Sequence, residues 1–266
     1  MAAGGAIQSV ERAVNLLRAV VSGGRDGRRL TDLAGDSGLS KSTVHRMMGA
    51  LIETGLVDQD RDTKLFCPGI ELFRLGRAAA ERFSVVEFAR PALAHLAERI
   101  GDTVFLSVPV GHESLCVDRQ IGAFPIKALT VEVGDRRPLG IGSGSLALLA
   151  YRRDHEIEAA LAANQSRHAT FARFDPETLR QLVVTTRRQG FAFIEGQLIE
   201  GMSAVGVPIL DHHGRAVAAL SVAAISRRLQ ASRRRSVVSM LKVQAHQIEQ
   251  RLAALDSGAA AGRLAS

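Results

Sequence analysis

In the first third of this 266-residue chain, apolar residues recur every three or four positions, which is the period of one helical face. Ser9 is read as the cap of a first helix carrying Val10, Ala13, Val14, Leu17 and Val20, and "SGGRDG" stops it. Thr31 is read as the cap of a short second helix, "DLAGDSG", with Leu33 and Ala34 facing inward. Gly38 then supplies a turn, Leu39 plugs it, and Ser40 caps a third helix through Ile52. On that helix Val44, Met47, Met48 and Leu51 share one face, while Lys41, Ser42, His45, Arg46 and Gly49 share the other. Short apolar runs at 56–57 and 65–66 flank a polar turn bearing Arg61 and Lys64, a hairpin that reads as a wing. "IELFRLGRAAAERF" predicts a linker helix leading away from it.

The texture changes at Ser84. A helix, "VVEFARPALAHLAERI", precedes three strand-like runs, "TVFLSVPV", "ESLCVDRQI" and "IKALTVEV". Helical patches follow at 143–163 and 176–189, then strands at "FAFIEG", "SAVGVPIL" and "AVAALSVAAI", with "DHHGR" as a turn. A last amphipathic helix spans 232–255. Strands grouped before and after helices define an α+β second domain with a mainly antiparallel sheet. The expected organisation is a winged helix-turn-helix domain over 1–68, a linker helix over 69–83, an α+β domain over 84–256, to which the resemblance described below assigns effector binding and oligomerisation, and a disordered tail over 257–266.

A hydrophobic content of 46% is enough for two packed cores. The start of the chain, "MAAGGAIQSVERAV", has no basic segment of the secretory kind, and the longest uncharged run, "PLGIGSGSLALLAY", is shorter than the ~20 residues of a membrane span. The expectation is therefore a cytoplasmic protein without membrane contact. Cys67 and Cys116 lie in no ligand-like cluster, so neither disulfide, metal nor other cofactor is expected. The net charge of +7 is unevenly spread. Residues 1–82 carry 12 Lys/Arg against 10 Asp/Glu, residues 83–225 carry 14 against 15, and residues 226–266 carry 8 against 2. Total charge therefore points to the tail, and any nucleic-acid reading has to rest on local pattern.

That pattern is "GLSKSTVHRMM". A helix entering the major groove by its N-terminal end needs short donors for phosphates, cations for base edges and no acids there. Ser40, Lys41, Ser42, Thr43, His45 and Arg46 meet these needs, joined by Arg61 and Lys64 of the wing. On this helix alone, a cap followed by an ordinary solvated face fits as well. The preceding short helix, the Gly38 turn and the wing decide for double-stranded DNA. Candidates for catalysis, His112, Cys116, Asp118, His212 and His213, match no catalytic spacing, and no GxSxG, HExxH or phosphate-binding loop is present. The chain reads as a DNA-binding protein rather than an enzyme. The alternative is a small-molecule enzyme fused to a helix-turn-helix.

The segments "SVERAVNLLRAV", "LTDLAGDSGLSKSTVHRMMGALIETGLVDQD" and "LGRAAAERF" resemble the DNA-binding domain of IclR-type bacterial transcriptional regulators. "FARPALAHLAERIGDTVFLSV", "GDRRPLGIGSGSLALLA" and "GRAVAALSVAAISRRL" resemble the effector domain of the same family, in the same order. The resemblance implies a GAF-like effector domain, a homodimer or dimer of dimers, a pseudo-palindromic operator and a small organic acid as effector. It places effector contacts on Leu129, Gly140, Gly142, Ser143, Gly144, Ser145, Ile194, Ala204, Ser221 and Ala223. Several acid-sensing members carry an acidic residue where this chain has Ile194, a cysteine at Ala204 and a second serine at Ala223, whereas Ser221 is kept. Apolar replacements and a bare "GIGSGS" loop imply more room and an effector larger than glyoxylate or pyruvate. An aromatic or other medium-sized apolar carboxylic acid, controlling a catabolic operon, is the resulting expectation.

Overall fold

The computed structural model describes residues 3–80, 84–129, 131–171 and 173–264. The end of the expected linker helix at 81–83, Thr130 of the run 126–133 and the last two residues of the expected tail lie outside them. The chain divides into two compact units, Met1–Arg82 and Phe83–Ser266.

In the first unit, α1 (Ala3–Ser22), α2 (Leu30–Ser37) and α3 (Lys41–Glu53) precede a hairpin of β1 (Val57–Gln59) and β2 (Phe66–Pro68), and α4 (Ile70–Ala80) follows. Leu16, Val20, Leu33, Val44, Met48 and Phe66 form its core. Three expectations are corrected. Ser9 lies inside α1 rather than capping it, because no helix breaker precedes it apart from two glycines, each costing about 1 kcal/mol. Val10 and Val14 are exposed, and Leu16 takes the buried position, since contacts with α2 and α3 set the rotation of the helix. Thr31 is also interior. Arg28 exchanges backbone hydrogen bonds with Phe66 of the wing at 2.9 Å each way, which holds the chain extended through Arg29 and starts α2 at Leu30.

The second unit is a six-stranded antiparallel sheet in the order β5-β4-β3-β8-β7-β6, made of β3 (Thr103–Val110), β4 (Glu113–Gln120), β5 (Arg136–Pro138), β6 (Ala192–Glu195), β7 (Met202–Leu210) and β8 (Ala216–Ile225). One face packs against α5 (Ser84–Ile100) and α10 (Ala231–Leu264) around Leu93, Leu106, Leu220 and Leu241. The other face packs against α6 (Ser143–Ala150) and α9 (Pro176–Gln189) around Leu146, Leu149 and Leu179. Between α6 and α9 come α7 (Asp154–Ala163) and the single turn α8 (Gln165–His168).

Here too the structure departs from expectation. Residues 126–129 and 131–133 form no strand, because the edge beside β4 is taken by β5, and Ile126, Leu129 and Val133 stay exposed. The helical patch at 143–163 is broken at Tyr151–Arg153, where Arg187 donates to the carbonyls of Ala150 at 2.6 Å and Arg152 at 2.7 Å. The segment expected as a disordered tail continues α10 to Leu264, in keeping with the high helix propensity of its alanines. Asp102, just before β3, is buried. It accepts from Arg228 Nε and Arg233 Nη2 at 2.8 Å each, tying the start of the sheet to the start of α10.

Candidate DNA-reading helix and effector cavity

Gly38 ends α2 in the left-handed region at φ 65°, a backbone that a side chain disfavours, and sets up the turn into α3. Ser40 caps α3. Its Oγ accepts from Thr43 N at 3.3 Å and lies 2.8 Å from Thr43 Oγ1 and 3.1 Å from Ser42 Oγ. Val44, Met48 and Leu51 are buried and Met47 half-buried, so Lys41, Ser42, His45 and Arg46 are left exposed on the opposite face. No acid stands in the first turn. The wing is held by Asp60, whose Oδ1 accepts from Thr63 N and Thr63 Oγ1 at 2.7 Å each. Those bonds hold its carboxyl below the usual carboxylate range. Arg61 and Lys64 are exposed on that turn.

In the second unit a cavity of about 60 Å³ lies at the N-terminal end of α6. Gly142, Ser143, Gly144, Ser145, Ala204, Ser221 and Ala223 line it, as does Arg137. Leu129, Gly140 and Ile194 lie outside its lining: Leu129 is exposed, Gly140 faces Leu179, and Ile194, on β6, is buried in the cluster of Leu146 and Leu149. Ser145 Oγ is occupied within the loop, accepting from Gly140 N and donating to Pro138 O at 3.1 Å each. The hydroxyls of Ser143 and Ser221, in residues only 3% and 7% exposed, have no hydrogen-bond partner among the described residues. They border the cavity.

The small residues do not widen the space as expected. A side chain on Gly144 would meet Ser221 Oγ at 2.9 Å, so helix and strand already touch. Sequence reading missed Arg137. Its guanidinium lies 3.8 Å from where a side chain on Gly142 would begin. Burial lowers the affinity of this guanidinium for its proton, Asp135 and Cys116 oppose that effect, and the group stays cationic. Burial pushes the Cys116 thiol up to about 11, which leaves the cavity wall uncharged there and removes a neutral-pH nucleophile. His112, His212 and His213 sit exposed on hairpin turns, and no group of three metal-ligating side chains gathers among the described residues. No helix among them is long and apolar enough to cross a membrane.

A capped helix with no acid in its first turn, beside a wing, in a chain whose second unit holds a cavity, defines a DNA-binding regulator. The family model of the IclR helix-turn-helix domain matches residues 9–61, and that of the bacterial transcriptional regulator IclR C-terminal domain matches residues 77–250. The chain belongs to the IclR family of transcriptional regulators.

It is 30% identical to the HTH-type transcriptional regulator BhcR of Paracoccus denitrificans over 230 residues, covering 86% of this chain and 81% of that protein. It is 29% identical to the HTH-type transcriptional regulator XynR of Escherichia coli over 224 residues, covering 84% and 88%. The fold matches a solved IclR homologue of Microbacterium hydrocarbonoxydans complexed with 4-hydroxybenzoate, with TM-score 0.76 and 24% identity over 92% of this chain and 99% of that one. The family is one of transcriptional regulators, so the enzyme alternative falls.

Proposed function

We propose that this regulator is a cytoplasmic switch for a catabolic operon, and that its hold on DNA changes when an organic acid enters the cavity at α6. The unbonded hydroxyls of Ser143 and Ser221 carry this reading. Both border the cavity and make no hydrogen bond among the described residues, so each hydroxyl is open to donate to or accept from a ligand there. The first N–H groups of α6 have no intrahelical partner, and Arg137 adds a cation, so the polar end suits a carboxylate. Phe105, Ile141, Leu198, Ala204 and Ala223 supply apolar walls that suit a hydrocarbon body, aromatic or medium-chain.

The volume sets a condition. At about 60 Å³ the cavity is smaller than the ~150 Å³ known to hold a benzene ring. A ring enters only if lining side chains yield, and Val131 and Leu198, being half-buried, are the least constrained.

On the DNA side, Lys41, Ser42, Thr43, His45 and Arg46 enter the major groove, with Arg61 and Lys64 on the flanking backbone. Two copies of the chain bind half-sites about 34–36 Å apart, or a multiple of that, on a pseudo-palindrome. Calorimetry against glyoxylate, pyruvate, 4-hydroxybenzoate and phenylacetate tests the sensor, and footprinting with sedimentation tests the symmetry. Preference for glyoxylate or pyruvate would overturn the apolar effector. A monomer protecting one unsymmetrical half-site would overturn the paired binding.

A further inference from the structure

A groove of about 450 Å³ in the first unit separates the start of α2 from the wing. Arg29, just before α2, and Thr31 of α2 line one side, Gln59, Thr63 and Lys64 line it from the wing, and His45 from the reading helix. No acid lines it. Arg29 is exposed and has no side-chain partner among the described residues, whereas its neighbour Arg28 is ion-paired with Asp36.

Lys64 is the one non-glycine residue with positive φ, 59°, among the described residues. A side chain in that left-handed region is disfavoured, and glycine or asparagine sits there at lower cost. The turn imposes the conformation: Lys64 N donates to Asp60 O at 3.0 Å, Gln59 Nε2 donates to Lys64 O at 3.0 Å, and Asp60 Oδ1 holds Thr63 N. None of these bonds uses the lysine side chain, which makes no hydrogen bond of its own among the described residues. The Lys64 ammonium is attracted to Asp60 across the turn but makes no hydrogen bond, and together with Arg29 it borders a groove whose lining holds no acid, a setting that suits an anion from outside the protein.

We propose that one strand of the DNA backbone lies in this groove, with its phosphates held by Arg29 on the α2 side and by Lys64 on the wing side. The proposal rests on the assignment of α3 as the reading helix and goes beyond it. Arg29 lies outside both helix and wing, and it becomes a positioning residue. Phosphate contacts carry no sequence information, so the pair sets the register of α3 while Arg46 reads bases.

The test uses full-length protein and a labelled mixed-sequence duplex, followed by anisotropy across a KCl titration. Each lost phosphate contact lowers the slope of log affinity against log salt by about 0.9. Arg29→Gln, Lys64→Gly and Lys64→Asn are each expected to flatten the slope by about that amount per bound chain. Lys64→Arg keeps it, and Lys64→Gly melts no earlier than wild type because strain is relieved. Arg18→Gln, a charge removed from exposed α1, keeps the wild-type slope. Unchanged slopes in Arg29→Gln and Lys64→Asn, or equal flattening in Arg18→Gln, overturn the clamp alone. Wild-type protein with no salt-dependent binding overturns the reading-helix assignment along with it.

Discussion

Gly206 of β7 passes so closely beneath Ser143 that a side chain on Gly206 would meet the Ser143 carbonyl oxygen at 2.5 Å. Backbone contact thus sets the height of α6 above the sheet, and with it the cavity. Gly206→Ala is expected to lift the helix, cost about 1–3 kcal/mol through overpacking and abolish effector binding. Calorimetric melting should show the second unit unfolding earlier, with mixed-sequence DNA still bound. An unchanged melt would refute the contact.

The cap at Ser40 is a stability element before it is a DNA contact. Ser40→Ala should cost the first unit about 0.5–2 kcal/mol, and Ser40→Asp should restore the cap. The restored variant should nonetheless bind DNA more weakly than wild type, because a carboxylate then faces the phosphates. Thermal melting and anisotropy separate the two effects.

Arg46→Ala should lose about 1–3 kcal/mol of operator affinity and relax selectivity at one base pair. Lys41→Ala should weaken all sequences alike and flatten the salt slope. Equal operator affinity of both variants and wild type across a salt titration would remove the assignment of α3.

For the sensor, Arg137→Gln should weaken binding of an acid about ten-fold or more, as expected for a lost hydrogen bond to a charged group. It should leave binding of the corresponding amide nearly unchanged. Ser143→Phe should fill the cavity and block the effector response without harming operator binding. Titration calorimetry of each acid and amide pair is the measurement. Identical losses for acid and amide would mean that Arg137 supports the fold rather than the carboxylate.

Cys116 offers a pH readout. Burial raises its pKa to about 11, so the reactive thiolate is scarce at neutral pH and grows as pH approaches that value. In a Cys67→Ser background, iodoacetamide should label native protein very slowly at pH 7.5 and faster with each step upward, and it should label unfolded protein readily. Rapid labelling of native protein at pH 7.5 would mean the thiol is not buried as described.

Features encoded within a few residues were legible in the sequence. The Gly38 turn and Ser40 cap need only local backbone chemistry, and β3, α9 and β8 follow directly from runs of their own residues. Features decided by a distant partner were not. Valine and leucine stand on several sides of α1, and packing against α2 and α3 selected Leu16 over Val10 and Val14. The run at 126–133 is apolar enough for a strand, but β5 occupies the place beside β4. The small residues of the loop suggested empty space, whereas β7 and β8 fill it with their own atoms. Arg137 stayed hidden because its meaning depends on β5 facing Gly142, a relation carried by no local period.

The pairing of β3 with β8 joins segments that begin at Thr103 and Ala216, and Asp102 waits longer still for Arg233. The first unit closes on residues that are contiguous and made early. During synthesis the DNA-reading half can therefore fold while the sensing half is still missing its central strand. A chain cut short before Ala216 would carry the DNA-reading unit without a complete second one.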